Sequence, residues 1–186
     1  MGKLIYEMNV SLDGYVETVD KDLGWGIVDE ELHSWFADQT RTLDASIYGR
    51  GMYETMAPYW PTAASDPDAT PAMIDFANAW GPMPKIVFSS SLESVAWNSR
   101  LVAGDVAEEL ARIREEFDGD IDVGGATLAH SFIERGLVDD FRLVVHPVVL
   151  GAGTPYFPRL ERPIGLRLTD TKRFESGVIY MGYERV

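Results

Sequence analysis

Three short stretches of this chain carry residues suited to holding a phosphate group. Gly49-Arg50 pairs a glycine, which admits close backbone approach, with a guanidinium that can take phosphate oxygens. Ser89-Ser90 offers two short hydroxyl donors. Gly124-Gly125-Ala126-Thr127, with Leu128 beyond, is a run of small residues opening onto a helical pattern. There, unpaired N–H groups and the helix dipole would favour an anion, so this run is the best seat for a pyrophosphate. Each stretch alone also reads as an ordinary turn or cap. Together they are less easily incidental, because each follows an apolar strand-like run.

Other groups are fewer. Asp13, in Ser11-Leu12-Asp13-Gly14, reads equally as a turn residue and as an acid. His33, His130 and His146 are too scattered to suggest a metal site, and without cysteine there is no disulfide or thiolate ligand. Trp25, Trp35 and Phe36 are core residues by default, with Phe36 the best placed to reach a ring-shaped ligand.

The elements that must position these residues follow from periodicity. Leu4 to Val10 alternates as a strand, and Tyr15-Val16 is a second short apolar stretch. Asp29 can cap a helix carrying Leu32, Trp35 and Phe36. Ala45 to Tyr48 reads as a strand, followed by a short helix from Arg50 to about Thr55. Pro58 to Pro71 reads as a long exposed loop, after which Thr70 and Pro71 open another helix. Lys85 to Phe88 is a buried-type strand, and Asp105 with Glu108 forms a capping box for a helix through Phe117. Ile121 to Val123 is a strand leading into a helix that Gly136 closes. Phe141 to Leu150 is strand-like, Gly151-Ala152-Gly153 a flexible loop, and Leu166–Thr169 with Val178–Tyr183 a terminal antiparallel pair. Alternating strands and helices imply one α/β domain over residues 1–186, with a mixed, mainly parallel sheet, helices on both faces and an antiparallel C-terminal edge.

Composition narrows the partners. A formal net charge of −14 argues against nucleic acid and anionic membranes, and any phosphate site must be built from local donors. No apolar run approaches a membrane span and the N-terminus lacks a signal-peptide core, so a cytoplasmic protein is expected.

Several of these segments resemble a known superfamily. Ile47-Tyr48-Gly49-Arg50 with Tyr53-Glu54-Thr55 is similar to the cofactor-binding turn of dihydrofolate reductases. Trp25, followed at a distance by an acidic residue, Leu and Trp35-Phe36, follows the same pattern. Val87-Phe88-Ser89-Ser90 resembles the strand and serines that hold the adenosine ribose and its 2′-phosphate. Ser11-Leu12-Asp13-Gly14, Val123-Gly124-Gly125-Ala126, Gly136-Leu137-Val138-Asp139 and Pro147-Val148-Val149-Leu150-Gly151 look closer still to the reductase domain of the bifunctional riboflavin-biosynthesis deaminase-reductase.

The resemblance implies a dihydrofolate-reductase-like fold and NADPH as cofactor, with NAD not excluded. It also implies a small, ring-shaped substrate and allows a homodimer. It casts Glu31 as the acid that faces the substrate, with Asp13 as the alternative, and Trp25, Phe36 and Val123 as substrate contacts. Two departures bear on specificity. Gly51 stands after Arg50 where the family often has a basic residue, which weakens the case for NADP over NAD. Gly81-Pro82-Met83-Pro84-Lys85 lacks the Arg with which folate reductases hold the glutamate tail, and no substrate-phosphate signature follows Asp13-Gly14. Two readings therefore stand at this level: a hydride-transferring oxidoreductase, or a nucleotide-binding module without turnover.

Overall fold

The computed structural model describes residues 2–186. Its centre is an eight-stranded mixed sheet of order β5-β4-β3-β6-β1-β7-β10-β9. The strands are β1 (Leu4–Ser11), β3 (Leu43–Gly49), β4 (Lys85–Phe88), β5 (Ser99–Val102), β6 (Asp120–Gly124), β7 (Asp140–His146), β9 (Leu166–Arg173) and β10 (Ile179–Arg185). From β5 to β7 all neighbours are parallel, whereas β10 and β9 close one edge antiparallel. The expected mixed, mainly parallel class is the one found.

Five α-helices cover the sheet: α1 (Glu30–Arg41), α2 (Arg50–Met56), α3 (Pro71–Trp80), α4 (Val106–Glu116) and α5 (Ala126–Glu134). Strand alternation divides the chain between two faces. Leu4, Tyr6, Ile47, Ile121 and Val123 pack with Leu110, Ile113 and Phe132 of α4 and α5. On the opposite face Leu32 of α1 meets Val144 and Tyr180, while Tyr48 and Val87 meet Trp80 of α3.

Several local expectations change. Tyr15-Val16 belongs to β2 (Tyr15–Glu17), which leaves the main sheet to pair with β8 (Thr154–Pro155). The loop Pro58 to Pro71 contains a 3-10 helix over Trp60–Ser65, because Trp60 packs on Phe76 and gives the segment an apolar anchor. The edge strand β5 has too short an apolar run to register in the sequence. Gly151-Ala152-Gly153 is a built turn. A Cβ on Gly153 would lie 1.9 Å from the Glu17 carbonyl oxygen, and the turn's backbone is tied to Asp13.

Candidate functional site

In the parallel part of the sheet the chain runs from β1 outward through β3, β4 and β5, then returns to insert β6 between β3 and β1. Such a reversal opens a crevice beyond the carboxyl ends of the strands. A cleft of about 580 Å³ is found there, lined by Gly49, Arg50 and Gly51 from the β3–α2 junction and by Gly125, Ala126, Thr127 and Leu128 from the start of α5. Gly125 is the N-cap of α5, has φ +94°, and supplies no side-chain cap, leaving the first-turn N–H groups without side-chain partners. A Cβ on Gly124 would come within 2.9 Å of the Tyr48 ring, and one on Gly125 within 3.2 Å of Met52. These glycines therefore maintain the close packing of α2 against the α5 entrance.

Arg50 projects from the first turn of α2, where it donates to Glu54 Oε1 at 2.8 Å and to Ser91 Oγ at 3.1 Å. Ser89 lies in the same loop, but its hydroxyl is engaged as a turn cap, accepting from the N–H groups of Ser91 and Leu92. Neither Ser89 nor Ser90 lines the cleft, whereas Phe88 does. The serine that meets Arg50 is Ser91, whose Oγ accepts from the guanidinium. Lys21 is a second cation on the cleft wall and donates to Glu17 and Thr154. Its place follows from the β2–β8 pairing, which local sequence does not announce.

A second cavity of about 270 Å³ adjoins the first, and Met8, Val16, Leu23, Met52 and Thr55 line both. Its walls include Trp25, Phe36, Trp60, Phe76 and Trp80, and its polar floor includes Glu7, Asn9, Ser46 and Asp122. The floor follows from register. Ile5 pairs with Asp122, and Ser46 pairs with Asp122 from the other side, so Glu7, two residues past Ile5, shares their face.

Both carboxyl groups are perturbed. Burial pushes Glu7 up to about 7, opposed by Arg142 and reinforced by Asp122. Burial likewise raises Asp122 to about 6, against the hydrogen bond from Ser46 and the field of Arg142. The Glu7 Oε2 atom is buried without a hydrogen-bond partner, its nearest cation being Arg142 at 3.8 Å. Trp25 Nε1 is also buried and unpartnered. His146 fixes the loop bearing Trp25 in place, accepting from the Ile27 N–H at Nδ1 while its Nε2 faces Asn9 Oδ1.

The acids expected from the sequence lie elsewhere. Glu31 does share a helix face with Trp35, but that face packs on the β9–β10 hairpin. Its carboxylate pairs with Lys172 Nζ at 3.2 Å and accepts from the Glu175 N–H at 3.1 Å. Trp35 packs on Phe174 and Tyr180, whereas Phe36, a further step around α1, reaches the cavity. Asp13 accepts from Ser11 Oγ and from the N–H groups of Leu150 and Gly151, and these bonds hold its carboxyl below the usual range. It is a charged clamp on the turn after β7 and lines neither cavity. Val123, expected as a substrate contact, lines neither cavity. Its side chain is wholly buried on the α5 face, and strand alternation gives the cavity side to Asp122.

Sheet order, a glycine-opened helix and a cavity beside its entrance define an α/β protein of the dihydrofolate-reductase-like class. The chain belongs to the RibD C-terminal domain family, which matches residues 2–180. It is 32% identical over 182 residues to the uncharacterized protein YyaP of Bacillus subtilis (strain 168), covering 97% of this chain and 94% of that one. Its fold is similar to that of a Shewanella sp. PV-4 protein named for riboflavin biosynthesis (TM-score 0.77, 19% identity, 99% of both chains). It is also similar to Enterococcus faecalis dihydrofolate reductase complexed with NADP(H) (TM-score 0.65, 17% identity, 99% of this chain and 96% of that one). Family and fold are those of reductase-like domains. Among the described residues no helix is long and apolar enough to cross a membrane.

Proposed function

We propose that the protein is an NADPH-dependent reductase of a small ring-shaped substrate. The observation that carries this reading is the shared wall between the two cavities, one suited to a dinucleotide and the other to a flat ring. The reduced nicotinamide supplies the hydride, and the chain's residues supply binding, orientation and a proton. Free N–H groups at Ala126, Thr127 and Leu128 would hold the pyrophosphate, for which the close-packed glycines leave room. Arg50 and Ser91 suit a 2′-phosphate and so favour NADPH, although Gly51 adds no second charge and NADH remains a usable form.

In the adjoining cavity Phe36 and Trp25 flank the substrate. Glu7 and Asp122, raised toward neutrality, can keep a proton available for a ring nitrogen or oxygen that gains electron density. These carboxyls favour an enzyme over a binding module, since a purely nucleotide-binding protein has no use for buried acids beside its ligand cleft. The test is a titration with NADPH followed by thermal melting. A Tm that climbs with cofactor concentration supports the reading, and an unchanged Tm at millimolar NADPH defeats it. Loss of nicotinamide absorbance on adding amino- and oxo-heterocycles then reports turnover.

A further inference from the structure

The segment between β2 and α1 walls both cavities, yet little holds it down. Lys21 and Leu23 line the larger cleft, and Leu23, Trp25, Gly26 and Val28 line the smaller one. No residue from 21 to 28 is buried, and Leu23 and Ile27 are 43% and 45% exposed. Among the described residues, one hydrogen bond ties residues 22–28 to the main sheet: the Ile27 N–H donates to Nδ1 of His146 at 3.0 Å. We propose that His146 is a proton-sensitive latch, which closes this segment over both cavities while its ring is neutral and releases it when the ring takes a second proton. The latch acts whatever the cavities hold, so it does not rest on the reductase reading.

Hydrogen-bond roles fix the state of the ring. An Nδ1 that accepts carries no proton, so the neutral ring bears its proton on Nε2, which donates to Asn9 Oδ1 at 2.8 Å. Both nitrogens are thus in use, and the residue is wholly buried. The segment lies directly on the imidazole. A Cβ at Gly26 would stand 3.6 Å from Cε1, and Trp25 meets the ring edge-on with centroids 5.4 Å apart. A second proton has one place to go, Nδ1. There it turns an acceptor into a donor that faces the Ile27 N–H, so the bond is lost and a cation is left in a buried site.

No carboxylate offsets that cation. On β1 the ring meets Asn9 and lies opposite Ser11, and on the segment it meets Trp25, Gly26 and Ile27, none of them charged. On β10, Ile179 lies opposite the neighbouring Val145. From α1, Asp29 is spent on the helix cap and on His33, and Asp13 is bound to the backbone of Leu150 and Gly151. Glu7, Asp122 and His33 titrate on the lining of the smaller cavity, but none of them bonds His146. Burial alone moves the His146 pKa, and it moves it down from the ordinary imidazole value. The closed form therefore binds fewer protons than the open one. The latch is fully in place above the ordinary His range and is lost as pH falls through that range to the lowered value. Glu7 has the opposite sign, since its burial costs stability as pH rises.

The experiment is NMR of the whole chain without ligand, from pH 8 down to acid unfolding. It follows the two imidazole nitrogens of His146 and the exchange protection of the Ile27 amide, corrected for the intrinsic pH dependence of exchange. At pH 8 the ring should carry its proton on Nε2. As it gains the second proton, below about pH 6, Ile27 protection should fall about tenfold while the amides of β7 keep theirs. His146→Asn puts an oxygen that does not titrate in the place of Nδ1, and should make Ile27 protection independent of pH. The proposal is overturned if the wild-type ring carries its proton on Nδ1, if it protonates with Ile27 protection unchanged, or if it stays neutral until the whole chain unfolds. It is also overturned if folded His146→Asn shows the same loss, which would assign the switch to Glu7, Asp122 or His33. The wild-type titration decides the matter even if the variant does not fold.

Discussion

The two adjoining cavities are built in opposite ways. The larger cleft owes its binding character to backbone: a helix entrance without a side-chain cap, glycines at Gly124 and Gly125 where a Cβ would crowd Tyr48 and Met52, and cations at its margin. The smaller cavity owes its character to side chains from distant segments, with Glu7 on β1, Ser46 on β3, Asp122 on β6, Phe36 on α1 and Trp25 on the loop between β2 and α1. The first resembles an anion seat in a chain of net charge −14, and the second places two carboxyls, raised by burial, in an apolar enclosure. A backbone-made site should fail when atoms are added. A side-chain site should fail when one functional group is neutralised.

The largest expected effect breaks the first half of that contrast. Gly125→Asp adds a side chain to a left-handed backbone position and places negative charge at the α5 entrance, 3.2 Å from Met52 at its Cβ. It should weaken NADPH by about a hundredfold or more, read as loss of NADPH-induced stabilisation. If Gly125→Asp still binds NADPH normally, the cofactor does not sit at this helix.

Neutralising the cavity floor comes next. Glu7→Gln or Asp122→Asn should lower kcat about a hundredfold while leaving NADPH affinity near wild type. If the protonated acid is the working form, the wild-type rate should fall as pH rises past about 7, and this limb should disappear in Glu7→Gln. The same substitution should act oppositely on stability. Because Glu7 keeps its proton to higher pH in the folded state, the unfolded chain releases its proton first as pH rises. Stability is thus lost between the ordinary carboxyl range and about pH 7. Glu7→Gln should flatten that slope, giving a higher urea midpoint than wild type at pH 8 and a smaller difference at pH 5. A variant both steadier and slower would mark Glu7 as retained for chemistry.

Arg50→Ala should have a smaller effect. The side chain is about half exposed and is shared with Glu54 and Ser91, so about a tenfold loss of NADPH affinity is expected, with NADH little changed. Equal losses for both cofactors would move Arg50 to the pyrophosphate. The smallest effect belongs to Glu31→Gln, which breaks an exposed pair with Lys172 on the far side of α1. Turnover should change less than about twofold, in keeping with the low value of surface ion pairs. A large drop in kcat would return the acid to α1 and refute the assignment to the strands.

The legibility of the two sites in the sequence follows the same division. Gly49-Arg50 and Gly124 to Leu128 are contiguous runs at strand ends, and local rules about glycine, helix entrances and anions suffice to single them out. The same logic singles out Ser89 and Ser90. In the structure Ser89 is occupied by its own turn, and Ser91 reaches Arg50. The acid site gave no such local signal. Asp122 differs from Val123 by one residue, yet strand alternation sends one to the cavity and the other to the α5 core. Glu7, within an alternating strand, reads as an ordinary outward polar residue until a covered face is shown to lie above it.

By itself the sequence determined the α/β class, most of the strand and helix succession, the anion-suited helix entrance and the family resemblance, because these depend on neighbours along the chain. Tertiary structure alone decided which carboxyls lose water. Burial depends on what packs overhead, and here α1, α3 and the Trp25 loop close over β1 and β6 from distant parts of the chain. That enclosure perturbs Glu7 and Asp122, while it leaves Glu31 to Lys172 and Asp13 to the backbone of its turn.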